Sequence, residues 1–206
     1  IIAVDNVMII AMNAVLQRYG GAAQGDMLVT CATIAQSFML VVTMPLGGIS
    51  GGTQSILSYN YGARQFGRVR DAQKKIFRLC MGFTASMFVL ARAAGPLFVR
   101  LFTKDAQVAE ISAWAIRVCT LAAIPLGAQY EIVDGFTALG QVRLSFPLSF
   151  FRKAVYFAAL FILPACFGAR AAFYAEPVSD VLGPLASAIA YKLCIGPVLS
   201  DGHARV

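Results

Sequence analysis

Apolar residues gather along this chain into six long stretches, at about 1–17, 27–60, 79–102, 107–139, 147–167 and 177–198. Polar or Gly-rich segments separate them: RYGGAAQGD (18–26), a basic segment over 62–78, LFTKDAQ, and ALGQVRLSF. None of the long stretches alternates with the period of two that a half-buried strand shows, and each reads as a helix. Several carry helix-breaking residues in mid-course. Pro45 with Gly47, Gly48, Gly51 and Gly52 is expected to break the second stretch, and Pro125 with Gly127 interrupts the fourth. Pro164 and Gly168 close the fifth, and Pro184 and Pro197 lie in the sixth.

The lengths point to a membrane, because crossing the hydrocarbon core takes about 20 helical residues. From Met27 to Ala63 there is no charged side chain, a run of 37 residues. Hydrophobic residues make up 59% of the chain and charged ones 13%, too few to clothe a soluble domain of this size. The fold class is therefore an all-α, polytopic membrane bundle of six transmembrane helices, since only helices satisfy every backbone polar group within a single span. A soluble enzyme is excluded, and no Walker motif, nucleophile elbow or metal-ligand cluster occurs. The five cysteines (Cys31, Cys80, Cys119, Cys166, Cys194) form no CxxC pair and read as small apolar residues. His203, the only histidine, falls in a polar tail.

Charge then orients the bundle. The segment at 62–78 holds Arg64, Arg68, Arg70, Lys74, Lys75 and Arg78 against Asp71, and the turn at 140–153 adds Arg143, Arg152 and Lys153. The alternate turns pair Arg18 with Asp26, Arg100 and Lys104 with Asp105 and Glu110, and Arg170 with Glu176 and Asp180. Nine basic and one acidic residue thus face four and five, and the positive-inside rule places the first set in the cytoplasm. The basic segment is expected to pin a helix end against anionic lipid headgroups. It is one short patch without interleaved stacking aromatics, so no nucleic acid is expected as a partner despite the net charge of +7. The first span then runs outward, and the C-terminus lies in the cytoplasm. Ile1-Ile2-Ala3-Val4 carries no charged n-region, so no signal peptide is expected, and the chain reads as a piece of a longer polypeptide.

MPLGG (44–48) and IPLGA (124–128) echo one another in two spans of the same direction, as a duplicated hairpin or a chance likeness would. Broken helices of this kind accompany transport sites, while small residues also serve close helix packing. The segment PLGGISGGTQSILSYNYGARQFGRV resembles the second-half signature of the multidrug and toxic compound extrusion (MATE) family. Pro45, Gly47, Gln54, Tyr59, Asn60, Tyr61, Gly62, Ala63, Arg68 and Val69 match that motif, and Ser55 stands where the family usually has Pro. Asn13 with Tyr19-Gly20-Gly21, LFTKDAQV, ALGQ (138–141) and PVSD (177–180) extend the resemblance along nearly the whole chain.

The resemblance implies a twelve-helix exporter of two lobes in a bacterial cytoplasmic (inner) membrane, with residues 1–206 as the C-terminal six-helix lobe and the N-terminal lobe missing. It implies export of small organic substrates, expected to be cationic, in exchange for Na+ or H+, with no other cofactor and no metal. The competing readings are a lipid-linked saccharide flippase of the same superfamily and a non-transporting membrane fragment. Ion coupling needs a carboxylate within a span, and Asp5, Glu131 and Asp134 are the candidates. Glu131 and Asp134 are three residues apart and expected on one helix face, as a cation- or proton-binding pair, or else near the inner interface or paired with Arg92 or Arg117. Asn13, Gln36, Gln54 and Gln129 are candidates for contacting substrate, or for bonding helix to helix. Arg92 and Arg117 are expected to snorkel to the outer interface.

A reporter enzyme fused after Val206 is expected to show activity only in the cytoplasm. Activity outside the cell would reverse the topology.

Overall fold

The computed structural model describes residues 2–200, so His203 and the C-terminal tail lie outside the described residues. Helix α1 (Ile2–Gly52) is in fact two limbs, separated at Gly21, whose φ of 63° and ψ of −174° leave the helical region. A positive φ suits glycine because it has no Cβ to clash with the carbonyl. The turn expected over 18–26 is thereby concentrated at one residue. A Cβ on Gly20 would come within 2.9 Å of the Gly25 backbone, so the two limbs meet too closely there for any side chain.

After α1 come α2 (Gln54–Gly62), α3 (Phe66–Arg100), α4 (Ala106–Cys119), α5 (Ala123–Ala138) and α6 (Val142–Phe167). A 3₁₀ turn (Ala169–Tyr174) then leads into α7 (Ala175–Ser200). No strand occurs among the described residues. Among the described residues, four helices are long and apolar enough to cross a membrane: Gln24–Gly62, Phe66–Arg100, Val142–Phe167 and Ala169–Leu199. The pair α4 and α5, bent by 48°, makes a fifth span if taken as one. The first limb, where Asp5, Asn6, Asn13 and Gln17 dilute the apolar run, does not reach that standard. It packs into the bundle through Met8, Met12, Val15 and Leu16.

Three breaks depart from the expected ones. The second span continues through Pro45 and breaks at Thr53, whose hydroxyl donates to the carbonyls of Ile49 (2.8 Å) and Ser50 (2.9 Å). The Tyr-Asn-Tyr-Gly motif ends α2. There the amides of Ala63, Arg64 and Gln65 donate to the carbonyls of Tyr59, Tyr61 and Asn60, and Arg64 rather than Gly62 takes the positive φ, at 58°. The basic segment is no loop. Arg68, Arg70, Lys74, Lys75 and Arg78 ride on the first turns of α3, a 35-residue helix whose length of about 52 Å exceeds the hydrocarbon thickness of about 30 Å. Val69, Gln73, Ile76, Cys80, Thr84, Met87 and Ala91 form its buried stripe, at spacings of three and four.

The fourth span divides before Pro125, in the segment between Cys119 and Ala123. Proline lacks the amide that would bond Leu121 and its ring clashes there, whereas the first turn of a new helix tolerates it. Arg92 from α3 serves this break. It donates to the Arg117 carbonyl (3.3 Å) and to Thr120 Oγ1 (3.1 Å), with its guanidinium 4.0 Å over the Phe88 ring. The outward snorkelling expected of Arg92 gives way to this bond, because the last carbonyls of α4 need donors and lipid supplies none.

The α3–α5 contact closes around Gly127, where a Cβ would lie 2.8 Å from Thr84 Oγ1 and 3.2 Å from the Cys80 carbonyl. Gly127→Ala is expected to lower stability by about 1–3 kcal/mol through overpacking, read as a fall in the thermal midpoint of detergent-purified protein. Gly48→Ala, which meets open space, is the control.

Candidate functional site

A cleft of about 1000 Å³ lies between the two limbs of α1 and helices α5 and α6, with Glu176 of α7 also in its lining. Its wall is largely apolar, with Met8, Met12, Met39, Leu40 and Phe146 among the lining residues. All four of the Asn and Gln candidates line it. Asn13 presents a buried Oδ1 without a hydrogen-bond partner, and Gln36 lies on the second limb of α1. Gln129 is tied down, its Oε1 accepting from Ser187 Oγ at 2.6 Å, and so braces α5 against α7. Gln54 sits beside Asp134, which also accepts a hydrogen bond from Ser50 Oγ. The Gly-rich segment around Pro45 therefore delivers two neutral donors to one carboxylate. Gly47 lies against the Tyr130 ring, whose Cε1 a Cβ would meet at an ordinary contact distance of 3.7 Å.

The two acids of α5 part company. Asp134 faces the cleft, whereas Glu131 does not line it. Glu131 is buried on the side of Gln73 and Tyr191, with Oε1 lacking a partner. Residues three apart differ by about 60° around a helix, enough here to put one acid in the cleft and the other in the packing between α5, α3 and α7. Neither pairs with Arg92 or Arg117, which meet at the α4–α5 break instead.

Four charged residues assigned to loops by the sequence belong to the cleft and the packing behind it. Arg152 and Lys153 lie ten residues inside α6, and Glu176 and Asp180 are on the first turns of α7. Arg152 Nη1 meets Asp180 Oδ1 at 2.8 Å, with the Asp180 side chain wholly enclosed and its Oδ2 without a partner. Lys153 pairs with Asp5 across α6 and the first limb of α1. Glu176, one turn before Asp180, lines the cleft with both cations. The stem of Arg152 crosses α7 at Gly183, where a Cβ would come within 2.8 Å of its Cγ. Loop charge counts change accordingly, to seven basic and one acidic residue against four and three, and the asymmetry keeps its sign. A signal was available: Arg152 and Lys153 fall inside the expected fifth span and Asp180 inside the sixth.

The remaining motif residues lie away from the cleft. Tyr61 donates its hydroxyl to the Val198 carbonyl (3.2 Å), tying α2 to the end of α7. Tyr59 is exposed and Gly62 ends α2. Asn60 and Arg68 line a second groove of about 490 Å³ between α2 and α3, apart from the cleft. No group of three or more metal-ligating side chains occurs among the described residues.

The chain is thus a polytopic helical bundle with a charged cleft between its helices. The MatE family model matches residues 2–160, and the chain belongs to that family. "Multidrug export protein MepA" of Staphylococcus aureus (strain MSSA476) is 23% identical over 180 residues, covering 86% of this chain and 38% of that protein. The Staphylococcus haemolyticus protein of the same name is 24% identical over 187 residues, covering 89% and 40%. The chain thus spans about two-fifths of the length of these relatives. An outward-facing multidrug resistance MATE family transporter of the MOP superfamily superposes with a TM-score of 0.85 at 16% identity, over 95% of this chain and 44% of that one. An inward-facing structure with the same description gives 0.80 at 15%, over 93% and 44%. At such identities the likeness speaks to the fold.

Arg152→Ala is expected to destabilise the fold by about 3–5 kcal/mol, because it strands the Asp180 carboxylate in the interior. Adding Asp180→Asn to that variant recovers part of the loss in a thermal-unfolding cycle. A fully additive double variant would mean that the pair is not coupled.

Proposed function

We propose that this chain is the C-terminal lobe of a secondary antiporter in a bacterial cytoplasmic membrane, exporting drugs, toxins or other organic cations in exchange for Na+ or H+. The observation that carries this reading is the cleft: a largely apolar wall interrupted by Asp5, Asp134 and Glu176. Methionine and aromatic side chains adapt to varied greasy ligands, and carboxylates in such a wall attract a positive charge. The relatives named multidrug export proteins support the same reading. Helix breaks at Gly21, Thr53 and between α4 and α5 supply places where a lobe bends as it rocks between inward- and outward-facing states. A companion lobe would form the opposite wall, and transport is assigned to the two together.

A flippase for a lipid-linked diphosphate needs a strongly cationic cavity. Arg152 and Lys153 line this one, but each is matched by a carboxylate.

Expressed within its complete reading frame in an efflux-deficient bacterium, the protein is expected to export a fluorescent organic cation, and export should stop when the Na+ or H+ gradient is dissipated. Export that persists without either gradient, or none for any of several cations, would overturn the antiport reading.

A further inference from the structure

The charges around the cleft do not balance one to one. Arg152 and Lys153 are the cations of its lining, and each already has a carboxylate: Asp180 for Arg152, at 2.8 Å, and Asp5 for Lys153. Glu176 is a third carboxylate in the same group, one turn from Asp180 on α7 and lining the cleft. The charged groups acting on it are Asp180 on its own helix, Arg152 on α6 and Asp5 on α1. Tyr156 on α6 and Cys119 on α4 are its other titratable neighbours. Three carboxylates therefore share two fixed cations. One turn on, the buried Oδ2 of Asp180 has no hydrogen-bond partner.

Asp5, which the sequence offers as a coupling carboxylate, is differently placed. Its side chain is 49% exposed, while that of Lys153 behind it is 7% exposed. A mobile cation reaching Asp5 meets a tethered ammonium already there, and like charges at contact distance repel strongly in a medium of low dielectric.

We infer that Glu176 is the carboxylate of this cleft that accepts the exchangeable positive charge, and that Lys153 holds Asp5 out of that role as a built-in counter-ion. The inference rests on the exchange reading above and names the site within it. The ligand is one small monovalent cation, a proton or Na+. Asp134 is held differently, by hydrogen bonds from the neutral side chains of Ser50 and Gln54.

The test uses the complete reading frame, purified and without substrate, measuring bound radioactive Na+ by filtration and bound protons by back-titration with a pH dye. Glu176→Gln should lose the cation bound at this site, in the Na+ arm if the ion is Na+ and in the proton arm if it is H+. Lys153→Gln should gain a cation, bound at Asp5, and Asp5→Asn in that background should remove the gain. Cation binding unchanged in Glu176→Gln, or not raised in Lys153→Gln, would overturn the inference. Should Glu176→Gln fail to fold, Glu176→Asp, which keeps the charge on a side chain one methylene shorter, is expected to weaken binding at this site, and binding as tight as in the wild type would overturn the inference. Gradient-driven export by the wild type alongside unchanged binding in Glu176→Gln would sink this inference alone. Absence of such export would sink the antiport reading, and the binding measurements would still report on Glu176.

Discussion

Carrying an ion from water into a low-dielectric interior costs several kcal/mol even after the protein relaxes around it, and the cost is met only where a counter-charge and hydrogen bonds are waiting. The packing of α6 against α7 and of α6 against the first limb of α1 depends on that condition. Arg152 and Lys153 are adjacent on one helix, and each reaches a different carboxylate, on α7 and α1. The two pairs fix the rotation of three helices at once, since turning α6 by one residue would strand both cations. Gly183 belongs to the same arrangement, because any side chain there would displace the arginine stem that crosses α7.

Backbone groups obey the same rule. Where a helix breaks at membrane depth, its last carbonyls lose their partners and lipid offers none. At the α4–α5 break, Arg92 and the Thr120 hydroxyl take up those acceptors. At Thr53, the threonine hydroxyl does so for α1. The breaks near the cleft shape its chemistry, because the one after Gly52 sets Ser50 and Gln54 against Asp134. Irregular backbone and polar side chains thus gather at the same places.

The motif that carries the family resemblance divides along this line. Gln54 reaches the cleft, while Tyr61 ties α2 to α7 and Asn60 and Arg68 line a groove between α2 and α3. The motif marks the family through a structural joint more than through a binding site. The basic turns that follow it occupy the part of α3 that a hydrocarbon core of about 30 Å has no room for.

Hydropathy and loop charge were enough to read the all-α membrane class, the six apolar stretches and the charge asymmetry, because these depend on composition summed over many residues. The Asn and Gln candidates were legible too, since a polar amide in an apolar helix has few places to turn. Spacing along one helix did not reveal that Glu131 and Asp134 face different neighbours. That depends on where α3 and α7 pack around α5. Nor did it show that Arg152, Lys153, Glu176 and Asp180 form one group, because each lies near a span end, where a charge is equally acceptable in water or against a partner. Only the packing of helices distant in sequence brings Asp5 to Lys153 and Arg152 to Asp180, and so decides which carboxylates are matched and which is left over.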